Sequence, residues 1–328
     1  MFENSRILIT GGTGSWGTEL TTQLLERSPR EIIIFSRGEL AQVTMERKFN
    51  DPRLKFIIGD IRDYSAVLRA TKEIHYIFHL AALKHVPVCE YQPQEAIKTN
   101  IVGTTNLINA AIENKVIKVI DVSTDKAVDP LNLYGMTKAV GERLTIQANL
   151  LSDCTSFVCI RGGNVLGSNG SVIPYFIDQI KKENKVKITD KKMTRYFMTL
   201  PEAIQLLFKV AEHSIGGETF VMNMPSFKIL DAAKVLIDIY GNDKTEIEEI
   251  GIRPGEKLDE VLVSKHEAVN TYEFNKEYYL ILPTIIPKLY ESYKQKKLNK
   301  VAFSEFTSKT KLSSIPRLKK LLKQGGFI

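Results

Sequence analysis

The chain has 328 residues, 45 of them Lys or Arg and 38 Asp or Glu, for a formal net charge of +7; 43% are apolar and 25% charged. That mixture excludes disorder as the default state and fits one large domain or two modest ones. The charge is uneven: residues 288–328 hold 11 basic and 2 acidic side chains, leaving the body at about −2, so the excess does not describe a polyanion-binding surface. Three cysteines at irregular spacing, Cys89, Cys154 and Cys159, fit neither a disulfide framework nor a zinc motif and point to a reducing cytosol. The N-terminus does not read as a signal peptide, and no apolar run approaches the roughly 20 residues of a membrane span. A cytoplasmic protein without membrane contact or metal is expected.

Short apolar runs predict strands at 6–10 (RILIT), 31–35 (EIIIF), 54–58 (LKFII), 76–80 (YIFHL), 118–122 (KVIDV) and 155–160 (TSFVCI). Helical spacing falls between them, as at 17–25 and 101–113. Unalternated strands separated by helices predict an α/β fold, a Rossmann-type doubly wound parallel sheet with its strand C-termini along one ligand-binding edge. Beyond residue 165 helices are expected at 171–181, 201–213 and 230–240, then at 288–298 and 316–323. The expected organisation is a dinucleotide-binding domain over 1–165 and a smaller substrate-binding lobe over 166–287, interleaved with the last sheet strands. A basic helical segment over 288–328, its Lys residues on a solvated face, completes it.

The first strand runs into Gly11-Gly12-Thr13-Gly14-Ser15-Trp16-Gly17 and a helix. Glycines there allow a tight turn, a close approach of backbone N–H groups to a pyrophosphate, and packing of helix on strand. The second strand ends at Ser36-Arg37, where a 2′-phosphate would sit, so NADP is preferred over NAD, although Glu39 is a competing acid. Asp60 and Ile61 after the third strand belong beside the adenine, and Leu80 and Ala81 at the end of the fourth join the cofactor set.

The fifth strand leads into STDKAVDPLNLYGMTK. Tyr134 and Lys138 are four apart, on one helix face, where an ammonium can lower the phenol's pKa and equip it to take a hydroxyl proton. With the glycine turn, this indicates a short-chain dehydrogenase/reductase of the extended, nucleotide-sugar type. Asp125-Lys126 adds an acid and a base that an epimerase does not need but a dehydration does. An N-terminal capping Asp beside a surface Lys is the plainer reading of that pair.

Together the stretches ITGGTGSWG, FSRGELAQ, FIIGDIRD, AALKHVP, KTNIVGT, STDKAVDPLNLYGMTK, GNVLGSNGSVIPYF, MTRYFMTL, GGETFVMNMPS and IGIRPGEKLDE resemble the soluble UDP-N-acetylglucosamine 4,6-dehydratases, including the inverting enzymes that begin pseudaminic acid synthesis. The resemblance implies that Thr124, Asp125, Lys126 and Tyr134 surround the hexose. Tyr134 and Lys138 would support oxidation at C4, and Lys138 would hold the nicotinamide ribose. Lys126 would remove the C5 proton, and Asp125 or Lys126 would protonate the leaving C6 hydroxyl. Lys84 would touch cofactor and substrate, Asn164 the diphosphate side, Arg195 and Arg253 the phosphates, and Glu256 a ribose hydroxyl or its own loop. The cofactor would be tightly bound and regenerated in each turnover, giving a UDP-4-keto-6-deoxy-HexNAc, in a homo-oligomer with no nucleic-acid partner. Alternatives are a 5,6-dehydratase releasing a 4-hydroxy-5,6-ene and a UDP-sugar C4-epimerase or ketoreductase. Gly162, where the pattern leads one to expect Tyr, and Gly38, Ala41 and Cys89 depart from the family's pattern.

Overall fold

A computed structural model describes residues 1–168 and 171–328; Asn169 and Gly170, within the GNVLGSNGSVIPYF stretch, lie outside the described residues. The first six strands are β1 (Arg6–Thr10), β2 (Glu31–Ser36), β3 (Leu54–Ile58), β4 (Tyr76–His79), β5 (Lys118–Thr124) and β6 (Ser156–Gly162). They are parallel, in the order β3-β2-β1-β4-β5-β6. The chain thus leaves β1 in both directions. The β1/β4 boundary is the switch point at which a crevice opens above the strand ends.

Residues on these strands alternate between two cores. Ile7, Ile9, Ile32, Ile34, Phe78, Ile120, Val158 and Ile160 face one. Leu8, Ile33, Phe35, Ile77, Val119 and Phe157 face the other. Both faces are apolar, which is why the runs read as unalternated. Each fully buried Ile, Leu or Phe contributes about 1.5–3 kcal/mol. The first core is covered by α1 (Ser15–Leu25), through Leu20 and Leu24, one helical turn apart. Next come α2 (Glu39–Phe49), α3 (Tyr64–Ala70), α4 (Val86–Tyr91), α5 (Pro93–Ile97), α6 (Gly103–Glu113) and α7 (Leu133–Gln147). Of these, α3 and α6 close the second core. The helix expected from 101 begins earlier, with a π-helical turn at Lys98–Val102.

The second half supplies β7 (Asn164–Val165), β8 (Lys185–Ile188), β9 (Thr194–Met198), β10 (Thr219–Met222), β11 (Ser226–Lys228), β12 (Glu246–Glu249), β13 (Val261–Val263), β14 (Thr271–Glu273), β15 (Tyr278–Ile281), β16 (Asn299–Lys300) and β17 (Phe306–Thr307). β10 continues the main sheet in parallel beside β6; β15, β14 and β16 extend it antiparallel, to ten strands. The helices are α8 (Val172–Glu183), α9 (Leu200–His213), α10 (Ile229–Tyr240), α11 (Lys265–Ala268), α12 (Pro287–Lys294) and α13 (Ile315–Gln324). α9 opens with a Thr199/Glu202 capping box and packs beside α1.

A third core gathers Ile173, Phe176 and Ile180 of α8, Ala232, Val235 and Leu236 of α10, and Leu318, Leu321 and Leu322 of α13. Arg317, Lys319, Lys320 and Lys323 stay exposed on the opposite side of α13. The basic end is therefore woven into the body: β16 joins the main sheet, β17 pairs with β13, and α13 fills the lobe.

Candidate active site

One cleft of about 1030 Å³ lies over the switch point and reaches the lobe. Its wall includes Gly11, Thr13, Gly14, Ser15, Trp16 and Gly17 from the turn, Ser36 and Arg37, Ile61, and Leu80, Ala81 and Lys84 after β4. Thr124, Lys126, Tyr134, Lys138, Asn164, Arg195, Arg253 and Glu256 line it as well. Asp60 and Asp125 are not part of this wall.

The turn is built by close approach. A Cβ at Gly17 would lie 2.2 Å from the Gly12 carbonyl oxygen, so only glycine lets α1 start directly on the turn. Gly14 precedes α1 in an extended conformation, so the N-terminus of α1 points into the turn, where its dipole favours negative charge. At the second strand end the buried Gln42 amide donates to Ser36 O and Oγ at 3.0 Å and to Ile57 O at 2.8 Å, tying β2 to β3. Arg37 is half exposed and only 4.0 Å from Asp60, whose carboxylate is already forked by Arg62. Burial raises the Asp60 carboxyl, but Arg62 and then Arg37 outweigh it and hold it below the usual carboxylate range. Gly38 caps α2 without a side-chain bond, and Ala41 is exposed.

Below the loop after β4, Asn100 in the π-turn accepts from Leu83 N at 2.8 Å and donates to Leu83 O and Thr137 Oγ1 at 2.9 Å each. One buried amide thus fixes the Lys84 loop to α7. The Cys89 thiol packs under the same loop, 3.7 Å from Leu83 O; burial, then Glu90, pushes it up.

The catalytic stretch folds as strand, 3₁₀ turn (Asp125–Ala127), then α7. A Cβ at Gly135 would sit 2.1 Å from Lys126 O, so the glycine after Tyr134 is what lets α7 press against that turn. Asn132 caps α7 by accepting from Gly135 N at 2.8 Å, while its amide donates to Gly255 O at 2.8 Å. Lys257 Nζ donates to Val128 O at 2.6 Å. The Arg253–Lys257 loop is thereby bolted to the catalytic stretch across more than a hundred residues.

Lys138 is buried, its Nζ 3.1 Å from Asp121 Oδ1 on β5. Tyr134 is half-buried at the cleft wall. Burial raises its phenol; Lys138, Lys126 and the Thr124 hydroxyl pull it down without cancelling that rise. The expectation of a lowered phenol is therefore corrected: Lys138 is shared with Asp121, and burial wins.

Lys126 Nζ lies 3.0 Å from Asp125 Oδ1 and 3.3 Å from Glu260 Oε1. Burial lowers this amine, but the two carboxylates outweigh it and hold it as an ammonium. Asp125 is fully buried and accepts from Thr124 Oγ1 at 2.9 Å, and its Oδ2 has no partner among the described residues; burial raises it. The plainer reading, of a cap beside a surface lysine, is excluded.

Arg195 is 7% exposed. Its guanidinium donates to Thr194 O (2.7 Å), Leu258 O (3.1 Å) and Lys257 O (2.8 Å), and Nε lies 3.5 Å from Glu260 Oε1. It clamps residues 257–260, whereas Arg253 is exposed on the rim. Among the described residues, Ser123 Oγ, Thr99 Oγ1 and Glu256 Oε2 are buried cleft-lining atoms without a partner. Gly162 lines the cleft, and the Met222 sulfur stands where its side chain would begin. Asp121, Asn100 and Glu260 had no assigned role in the sequence. A lone Asp inside the buried KVIDVST run was the signal for the first; KTNIVGT and IGIRPGEKLDE contained the other two.

The sequence pattern of the "polysaccharide biosynthesis protein" family matches residues 7–282. A Campylobacter jejuni protein described as UDP-N-acetylglucosamine 4,6-dehydratase (inverting) is 45% identical over 87% of this chain and 85% of its own. A Rickettsia rickettsii protein described as UDP-glucose 4-epimerase is 43% identical over 98% and 96%. The X-ray structure of Pen from Bacillus thuringiensis superposes with a TM-score of 0.93 at 37% identity, covering all of both chains.

Proposed function

The chain belongs to the polysaccharide biosynthesis protein family, and on that premise we propose that it is a dehydratase acting on UDP-N-acetylglucosamine with a nicotinamide dinucleotide. The observation that carries this reading is Lys126 Nζ, held between Asp125 and Glu260 at the cleft that Tyr134 lines. A cleft of about 1030 Å³ exceeds the roughly 300–1,000 Å³ of single small-molecule sites, which suits two ligands side by side.

The glycine turn and the N-terminus of α1 would hold the cofactor's diphosphate. NADP is the preferred form, because Arg37 is loosely held while its neighbour Asp60 is occupied by Arg62. When bound, the nicotinamide supplies the two-electron oxidant at C4 and the reductant at C6. Tyr134 must first lose its own proton to solvent, which the positive charge of a bound oxidised nicotinamide would favour by adding to the pull of Lys138, Lys126 and the Thr124 hydroxyl. The phenolate then takes the C4 hydroxyl proton, and the resulting ketone acidifies the C5 proton. Lys126 reaches its neutral form by passing a proton across 3.0 Å to Asp125. The neutral amine then removes the C5 proton and returns it to the C6 hydroxyl, which leaves as water. Once C6 is reduced, the proton held on Asp125 passes back through Lys126 to C5, and the Tyr134 proton restores the Asp125–Lys126 pair. Asp125 has no exposure to the cleft, so it serves as the proton's reservoir and Lys126 as its carrier. Arg253 on the rim takes the diphosphate in place of Arg195, and Glu256 Oε2 accepts a ribose hydroxyl. Lys84 and Asn164 complete the wall between the two ligands.

The Rickettsia relative's description favours a second reading, C4 epimerisation. That reaction has no task for the Asp125–Lys126–Glu260 cluster. Incubation with UDP-N-acetylglucosamine in deuterated water, with NADP or NAD added, separates them. Loss of one water, a C6 methyl group and deuterium at C5 are expected, with NADP the more effective; an isomer of unchanged mass would sink the proposal. NMR of the same product reads the C5 configuration and whether C4 is a ketone. We further infer a cytosolic homo-oligomer. Its three cysteines are free thiols, and Val88, Tyr91, Ile97, Met136 and Val140 are exposed on the neighbouring helices α4, α5 and α7.

A further inference from the structure

Glu260 immediately precedes β13 and is 2% exposed. Its backbone is pinned: its N–H donates to Ser308 Oγ at 2.9 Å, and Ser308 N–H donates to its carbonyl at 2.8 Å. Oε1 meets Lys126 Nζ at 3.3 Å and Arg195 Nε at 3.5 Å, while Oε2 is buried without a partner among the described residues. A buried carboxylate is costly unless it has work for its charge. Here a chain of contacts runs from the lobe's clamp, Arg195, through Glu260 to the amine that faces the substrate.

We propose that Glu260 is a positioning residue for Lys126, a second carboxylate that fixes Nζ at the cleft and keeps the proton shared by Lys126 and Asp125 inside the site. This rests on the dehydratase reading above.

The groups around that proton are Asp125, Glu260, Arg195, Lys257, Tyr134 and Tyr196, and the two carboxylates are treated differently by them. Burial raises Asp125, and Glu260 raises it further against the pull of Lys126. Burial also raises Glu260, but Lys126, Arg195 and Lys257 outweigh it and hold it below the usual range. Such a split assigns separate tasks to paired carboxylates. The proton travels between Lys126 and Asp125, and Glu260 stays an anion. Its charge raises the affinity of both partners for the proton, so the pair gives it up to solvent only at higher pH. Removing that charge moves the loss to lower pH.

Glu260→Gln keeps the size and removes the charge. The kcat for water loss should fall about ten- to hundredfold, with KM near the original value. The alkaline limb of kcat should move down by about one to three pH units. C4 oxidation, read as the cofactor's absorbance change in a single turnover, should persist. Glu260→Asp should restore the limb. Unchanged kcat and limb in Glu260→Gln would overturn the proposal. Faster turnover at neutral pH would overturn it too, since Lys126 would then be a plain base that Glu260 hinders. A parallel loss of C4 oxidation in both variants would reduce Glu260 to a structural role. A native protein that releases no water from UDP-N-acetylglucosamine sinks the dehydratase reading instead. The Glu260 contact is then still read by the ¹³C resonance of reductively methylated Lys126, assigned with Lys126→Arg. Its titration midpoint must fall in Glu260→Gln.

Discussion

Two arginines that read alike in the sequence sit in opposite settings, and the tasks proposed for them follow from those settings. Arg195 spends its donors on three backbone carbonyls and lies against Glu260, at 7% exposure. Truncating it would leave those carbonyls without their donor and Glu260 with Lys126 as its remaining cation, at up to about 3–5 kcal/mol for the broken buried pair. Arg253 is exposed on the cleft rim and can fork a diphosphate. Arg195→Ala should therefore lower the melting temperature by several degrees, whereas Arg253→Ala should leave it in place and raise KM for UDP-N-acetylglucosamine about tenfold or more. Calorimetry and steady-state kinetics on the two variants check this; equal melting losses would refute the division. The sequence could supply the residue type but not the neighbours. Lys126 and Glu260 are 134 positions apart, and no local spacing announces their contact at 3.3 Å.

At the scale of elements, the parallel strands were readable because the inner ones are buried on both faces, so their apolar runs have few gaps to misplace; only the edge strand β3 exposes Lys55 and Ile58. The antiparallel edge β16–β14–β15 was not, since its strands are only two to four residues long and carry too little pattern to read. The π-turn at Lys98–Val102 was hidden inside a good helical pattern, yet it is what aims Asn100 at the Lys84 loop. The Tyr134–Lys138 spacing was visible at once. The reason it works lies in the intervening Gly135, where a Cβ would stand 2.1 Å from Lys126 O. Gly135→Ala must push α7 off the 3₁₀ turn and carry Tyr134 with it. The expected result is a loss of about 1–3 kcal/mol and a fall in the rate of C4 oxidation, with cofactor affinity at the distant glycine turn retained. Denaturant melts, single-turnover absorbance and cofactor titration measure the three separately; an unaltered oxidation rate would dissociate helix seating from catalysis.

For the whole molecule, the parts are joined under the cleft by one buried histidine. Thr104 Oγ1 donates to Asn100 O at 2.7 Å, so toward His79 Nε2, at 3.1 Å, it can only accept. His79 is then the Nε2–H tautomer, and Nδ1 accepts from Thr10 Oγ1 at 2.7 Å. This links the end of β1, the end of β4 and the start of α6, the three elements that frame the cofactor turn. Burial lowers His79 from 6.5 to about 4, with Asp121 opposing and Lys138 reinforcing the shift. Its folded pKa lies below its unfolded value, so between pH 6.5 and about 4 the unfolded chain binds the extra proton. Stability is thus full above 6.5 and is lost as pH falls toward 4, by about 3 kcal/mol from this residue. Protonation at Nδ1 also takes away the acceptor that Thr10 uses, so the joint beneath the glycine turn loosens first. Bound cofactor should oppose this by mass action. His79→Gln, which titrates nowhere in that window, should flatten the unfolding free energy between pH 6.5 and 4, while the fall below pH 4 from paired carboxylates such as Asp60 and Glu267 persists. An equally steep fall in the variant would place the acid sensitivity elsewhere than this joint.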